Sequence, residues 1–321
     1  MLEKLKQRTL ISIAFAGILY LAITIYTDFN LLVESFKKFD LLLLPVLLVL
    51  SLLNYFTRFF KWDYYLSILK IQLSKKDSLM IFMSGLLMSV TPGKLGELLK
   101  AYLVKTVNKT PASITAPIIF AERATDFLSL TILALIGAYI YDYGRNAALI
   151  ITGLILVGIF ILTNRKLFDS LMKILSKIKF VHKRIESIEQ LYHSTYTLLK
   201  LKPLFIAVII SVVSWGFECY GYFLVINNFV DTIGVSWSFF SYSFSTIVGA
   251  VSMLPGGLGV TEGSFLLMLT SKGLSTSDAA ATTFITRVVT LWFAVIVGIL
   301  AVFFFQRKFG KIDFTNSESD K

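Results

Sequence analysis

Five ionisable side chains lie inside stretches of sequence that are otherwise apolar. Glu122, Arg123 and Asp126 fall within 112–139, Glu218 near the middle of 204–230, and Arg287 within 284–305. An ionisable group at the centre of a bilayer costs at least ~2.5–3.5 kcal/mol on an insertion scale, so such groups pair with one another or line a wet cavity. On a helix, Glu122 and Asp126 share a face, and Arg123 reaches Asp126 one turn on. Three acids and two bases nearly neutralise one another. They suit either a network that ties helices together or a polar cavity that admits a charged headgroup or couples ions.

A second feature stands just before each arginine. Ser89-Val-Thr-Pro-Gly-Lys-Leu-Gly96 recurs as Ser252-Met-Leu-Pro-Gly-Gly-Leu-Gly259 at a constant offset of 163, and Arg123 and Arg287 follow Pro92 and Pro255 by 31 and 32 residues. Proline cannot continue the helix before it. Gly93, Gly96, Gly256, Gly257 and Gly259 permit a tight turn. A new helix then starts near Glu97 or Thr261, and its free N–H groups form an anion site into which a phosphate fits. Lys94 supports that reading in the first copy, whereas Gly257 replaces it in the second. The other reading is that Glu97 and Glu262 cap their own helices. The candidate anion-binding residues are therefore Gly93, Lys94, Gly96, Arg123, Gly256, Gly257, Gly259 and Arg287. The candidate polar network is Glu97, Glu122, Asp126, Glu218 and Glu262.

These residues must be held by helices in lipid. Of the 321 residues 56% are hydrophobic, with mean hydropathy +0.75, against about 45–50% in soluble domains. Uncharged apolar runs of this length cross a membrane, and in lipid each crossing must satisfy its own backbone as a helix. Full spans are expected at 10–26, 41–57, 112–139, 146–162, 204–230 and 284–305. The run 79–90 is too short to cross, and it is expected to dip in and return. The run 237–254 is expected to do the same with 264–269 as its partner. The fold class is thus all-α and polytopic, with about six transmembrane helices and two re-entrant helical hairpins. Residues 1–313 form one transmembrane domain with repeat halves at roughly 41–140 and 204–305. A basic amphipathic segment, 164–203, separates them, and 314–321 is a polar, disordered tail. The first span lacks a cleavage site and is expected to be retained.

The formal net charge of +11 lies beside the spans, which excludes a nucleic-acid reading and points to topology and anionic headgroups. From a cytoplasmic start, 25 Lys and Arg fall on inner segments, Arg58, Lys61 and Lys100 among them. Four fall on outer ones (Lys37, Lys38, Arg145 and Lys272). That asymmetry places both termini and 164–203 in the cytoplasm. Three crossings then separate the two motifs, an odd number, so the second copy is inverted relative to the first, as in many transporters. Cys219 is the only cysteine, and His182 and His193 share one basic loop, so no disulfide, metal or cofactor is expected. No P-loop, G-x-S-x-G elbow or H-E-x-x-H is present, so no catalytic residue is assigned.

At Pro92-Gly-Lys-Leu-Gly-Glu97, Glu122-Arg-Ala-Thr-Asp126 and Leu254-Pro-Gly-Gly-Leu-Gly-Val-Thr-Glu-Gly263, the chain resembles the flippase-like transmembrane region of lysylphosphatidylglycerol synthases. That region also stands alone in bacterial and archaeal membrane proteins of about this size. The resemblance covers nearly the whole chain. It implies a multi-pass protein of the cell membrane that binds and translocates an anionic phospholipid or polyprenyl-linked lipid. The synthases carry a soluble aminoacyltransferase domain after this region. None is found before Lys321, so transport rather than aminoacylation is expected. The alternative is a membrane subunit or scaffold in aminoacyl- or glycosyl-lipid synthesis, with a lipid-modifying enzyme as partner.

Overall fold

A computed structural model describes residues 27–91, 95–141, 164–167 and 185–310, with isolated positions at 17–18, 25, 150, 153, 157–158 and 160–161. Most of the expected spans at 10–26 and 146–162, the segment 168–184, the tail, and Pro92, Gly93 and Lys94 lie outside the described residues. The regular secondary structure of the described residues is helical throughout.

The charged stretch between the first two expected spans forms a helix, α1 (Phe29–Lys38), rather than a loop. Asp28 caps it by accepting from the Asn30 N–H at 2.9 Å. Helix α2 (Leu43–Ile68) runs eleven residues beyond the expected end at 57. It does so because Arg58 and Lys61 turn inward, on one stripe with Ser51, Asn54 and Tyr65, while Val49, Phe56 and Phe60 face outward. Helix α3 (Lys75–Leu86) tightens into a 3-10 turn (Leu87–Val90), and a second 3-10 turn (Leu95–Leu98) leads into α4 (Leu99–Asn108). Leu99, Lys100, Ala101, Leu103 and Val104 are buried, so α4 packs into the helical bundle. Helix α5 (Ala112–Tyr141) carries Glu122, Arg123 and Asp126. Helix α6 (Ile185–Leu198), the described part of the amphipathic segment, packs on α5 and accepts a hydrogen bond from Ser113 on Gln190 Oε1 at 2.7 Å.

The second half repeats this order. Helix α7 (Leu201–Phe229) is followed by a hairpin of α8 (Val235–Val251) and α9 (Val260–Ser271). Then α10 (Thr276–Arg287) continues through a π-turn (Val288–Trp292) into α11 (Phe293–Phe309). By length and composition, Leu43–Ile68, Leu201–Phe229 and Thr276–Phe309 can each cross a membrane. Outward-facing Phe205, Ile209, Val213, Ile296, Leu300 and Phe303 suit a hydrocarbon environment.

The halves are interlocked. Helix α3 of the first packs on α11 of the second, and α8 of the second packs on α5 of the first. Helices α2 and α7 pack with opposite chain directions. Leu47 lies against Gly221, Asn54 donates to the Ser214 carbonyl, and Lys61 donates to Ser211, so contacts climb one chain while descending the other. Gly298 of α11 lets the end of α3 approach closely, because a Cβ there would stand 2.1 Å from the Leu87 nitrogen. Small residues serve this purpose where helices pack in membranes.

One ion pair ties the start of α3 to the end of α11. Ser74 caps α3, donating to Asp77 at 2.7 Å, and Lys308 of α11 donates to the other Asp77 oxygen at 2.6 Å. Partial burial opposes the charge on Asp77, but the bonds from Lys308 and Ser74 outweigh it and hold the carboxyl below its ordinary range. A carboxylate depressed in this way stabilises the fold above its unfolded pKa, and the contribution is lost as pH falls through the folded value. Asp77→Asn is therefore expected to lower stability at pH 7 by about 1 kcal/mol or less, as for exposed pairs. The difference from wild type should shrink toward zero below the ordinary carboxylate pKa of about 4. Thermal unfolding in detergent at pH 7 and pH 3 measures both. An equal difference at the two pH values would remove the ion pair from the explanation.

Candidate functional site

Helices α2, α5 and α7 meet along their polar stripes. Lys61, fully buried, donates to Asp126 at 2.6 Å, to Ser211 at 2.6 Å and to Thr125 at 3.3 Å. Asp126 also lies 3.2 Å from Arg123 and 3.7 Å from Arg58. Arg123, half-buried, donates onward to Glu97 at 3.1 Å. Lys100 donates to Glu122 at 2.5 Å, stands 3.5 Å from Glu97, and lies over the rings of Trp62 and Phe82. Its stem occupies the space beside Gly85, where a Cβ would come within 2.7 Å of it. Buried charges persist only when paired and hydrogen-bonded, and here each acid faces at least one cation from another element.

The second half holds a matching pair. Arg287 Nε donates to Glu262 Oε1 at 2.7 Å and Nη2 donates to the Gly256 carbonyl at 2.6 Å. The other Glu262 oxygen accepts the Gly259 N–H at 2.8 Å, so Glu262 closes the start of its own helix. The turn depends on glycine, since Gly256 and Gly257 have φ of 60° and 67°. In both halves the arginine meets the glutamate that follows its turn, 26 residues apart in Glu97–Arg123 and 25 in Glu262–Arg287. At the first turn the Gly96 N–H donates to Thr91 Oγ1 at 3.0 Å. A Cβ on Gly96 would collide with Thr91 and Met88.

The two turns touch, with Val90 Cα 3.5 Å from where a Gly256 Cβ would be. Beside this contact lies a cavity of about 240 Å³. Its walls carry Arg58, Arg123, Arg287, Asp126 and Glu218, the hydroxyl-bearing residues Tyr55, Ser89, Thr91 and Tyr242, and apolar groups. Tyr242 donates its hydroxyl to Glu218. The exposed side chains Val251, Met253 and Leu254 also line it. The π-turn after Arg287 is read by α2. Ser51 donates to the Val289 carbonyl at 2.6 Å, and Tyr55, four residues on, donates to the Thr290 carbonyl at 2.9 Å. π-turns of this kind recur at functional sites.

The structure thus brings Arg123, Arg287, Asp126, Glu218, Gly256 and Gly257 to one cavity, with Glu97 and Glu262 behind the arginines. Glu122, in turn, is paired with Lys100. One expectation changes. Arg58, Lys61 and Lys100 are not inner-surface charges but buried members of the network. Removing them from the 25 inner charges leaves 22 against four, so the asymmetry survives. The described network then balances at five bases (Arg58, Lys61, Lys100, Arg123, Arg287) against five acids (Glu97, Glu122, Asp126, Glu218, Glu262). A signal for two of the missed residues existed. Ser51, Asn54, Arg58, Lys61 and Tyr65 recur at alternating steps of three and four, the spacing of one helical face.

The family model of the lysylphosphatidylglycerol synthase TM region matches residues 9–298. A UPF0104 membrane protein of Methanocaldococcus jannaschii is 26% identical over 234 residues, covering 68% of this chain and 94% of that protein. A UPF0104 membrane protein of Methanothermobacter thermautotrophicus is 26% identical over 302 residues, covering 85% of this chain and 88% of that protein. With a match across most of its length and an all-helical fold, this chain is a multi-pass helical membrane protein that belongs to the lysylphosphatidylglycerol synthase TM region family.

Proposed function

We propose that the protein binds an anionic phospholipid or polyprenyl-linked lipid by its headgroup in the cavity between the two turns and moves it between leaflets. The observation that carries this is the meeting of guanidinium groups from both halves in one cavity, with acids that offset them. A headgroup that leaves water must find its charge met by protein at mid-depth, and a preformed polar site offers that without reorganisation. The cavity, about 240 Å³, is smaller than the ~300–1,000 Å³ that encloses a whole drug-sized ligand. That suits a headgroup whose chains stay in the bilayer, along the exposed Val251, Met253 and Leu254. The family's name points to a lipid pathway. The antiparallel packing of α2 on α7, two broken hairpins, and glutamate–arginine pairs in both halves favour an inverted repeat with its site at the interface.

Insertion in the cell membrane with both termini and 164–203 cytoplasmic is part of this proposal. In a Cys219→Ala background, a single cysteine at the exposed position 187 should resist an impermeant reagent in intact cells and react in inverted vesicles. Labelling from outside would overturn the topology.

The test of function is the movement of labelled phosphatidylglycerol, and separately of polyprenyl phosphate, between leaflets of reconstituted vesicles. Transfer above protein-free vesicles is expected for at least one of them. If neither moves under any ion gradient, a non-transporting subunit or scaffold of lipid modification replaces this reading.

A further inference from the structure

Among the three guanidinium groups that line the cavity, Arg58 is the one the protein leaves without hydrogen-bond acceptors. It is 5% exposed and donates no hydrogen bond among the described residues. The acid nearest to it, Asp126, stands 3.7 Å away. Asp126 Oδ1 is already engaged by Lys61 at 2.6 Å and by the Ser211 hydroxyl at 3.2 Å, while Oδ2 accepts no hydrogen bond and stands 3.2 Å from Arg123. Arg287 is the opposite case, with Nε and Nη2 committed to Glu262 and Gly256 at 2.7 and 2.6 Å. Arg123 is intermediate, shared between Glu97 at 3.1 Å and Asp126 at 3.2 Å.

An arginine carries five N–H donors in a rigid fork and no acceptor. Leaving a buried donor unfilled is unfavourable, and Arg58 Nε has lost water without gaining a partner. The guanidinium of Arg58 is nevertheless held in place, its centre 5.8 Å from the Trp215 ring, a cation–π contact. A site that fixes a guanidinium and leaves its donors open is preorganised for a ligand with several acceptor oxygens. A phosphate matches the fork with two parallel hydrogen bonds, which an ammonium cannot reproduce.

We infer that Arg58 is the residue that grips the phosphate oxygens of the ligand, with Arg287 a strut that holds the second turn. This inference rests on the lipid reading above, and it names the residue and the chemical group by which that site selects. The same chemistry would take a free phosphate, so the test separates the two.

The full chain, purified in a maltoside detergent, is titrated by calorimetry with dihexanoyl-phosphatidylglycerol and, separately, with inorganic phosphate. Wild type is expected to bind the lipid and to bind phosphate more weakly. Arg58→Lys keeps the charge beside Asp126 but loses the fork. It should weaken lipid binding at least about tenfold, the equivalent of one charged hydrogen bond. Lys38→Gln, on the surface, should change nothing. Wild type itself gives a second readout. The emission of Trp215 should shift when phosphatidylglycerol binds, and the shift should vanish in Trp215→Phe. Folded Arg58→Lys that binds the lipid like wild type, or lipid binding that leaves Trp215 emission unmoved, overturns the role of Arg58 and leaves the lipid reading intact. Binding of phosphate alone, weakened in Arg58→Lys, supports Arg58 as the oxyanion seat and overturns the lipid reading. Binding of neither overturns both.

Discussion

Asp126→Ala is expected to unfold the protein or lower its stability by about 3–5 kcal/mol, the loss that follows when one side of a buried ion pair is removed. The carboxylate stands among Lys61, Arg58 and Arg123, and the first two are almost fully buried. Without it, Lys61 keeps only the hydroxyl groups of Ser211 and Thr125 as partners. Lys100→Met should be damaging for the same reason, since it strands Glu122, which is 0% exposed. The double variant Lys100→Met with Glu122→Leu removes both charges and should recover most of that loss, because apolar replacement of a whole buried pair is often neutral or stabilising. Equilibrium unfolding in mixed micelles measures all three. Wild-type stability in Asp126→Ala, or no recovery in the double variant, would show that these pairs do not act as described.

The second large effect is on transport. Arg123→Ala and Arg287→Ala should each reduce leaflet transfer to that of protein-free vesicles, whereas Lys37→Ala and Lys38→Ala should leave it unchanged. A headgroup phosphate in the cavity competes with Glu97 and Asp126 for Arg123, while Arg287 holds the second turn through Glu262 and the Gly256 carbonyl. Lys37 and Lys38 lie at the end of α1, where Lys38 makes an exposed pair with Asp278 at 3.3 Å. Because Arg287 also holds the Gly256 carbonyl, loss of activity in the alanine variants counts only for protein that inserts and stays monodisperse. Arg287→Lys, which retains the charge beside Glu262, is the companion variant. Transfer at the wild-type rate by correctly folded Arg123→Ala and Arg287→Ala proteins would make the network purely structural.

Much of this architecture could be read from local pattern. Apolar runs longer than a dozen residues specify helices because a chain in lipid has no other way to satisfy its backbone. The paired Pro-Gly motifs announce breaks because proline ends a helix and glycine permits the left-handed turn that follows. The described helices Ala112–Tyr141 and Leu201–Phe229 fall within three residues of the ranges expected for them. The order of long helix, broken hairpin and long helix, twice over, was implied by the motif offset. The helix Phe29–Lys38 was also within reach, since Asp28 stands before it in the N-cap position. Its mixed charges made it look like a loop.

What tertiary structure alone decided is the fate of the charges beside the spans. Lys and Arg at the end of an apolar run ordinarily mark the membrane surface, and by that rule Arg58, Lys61 and Lys100 belong outside the core. Whether such a side chain turns inward depends on an acid elsewhere in the chain. Asp126 lies 65 residues from Lys61, and Glu122 lies 22 from Lys100. The polar stripe of α2 puts Arg58 and Lys61 on one face, but no local periodicity encodes which acid they meet. The energy that draws a lysine out of the interface exists only once α5 is packed beside α2 and α4 with its carboxylates facing them, because attraction between charges grows as water is excluded from between them. The same packing sets which arginine is saturated and which is left open. Arg287 and Arg58 are alike as letters, and only the position of Glu262 and the Gly256 carbonyl against one of them separates a strut from a site.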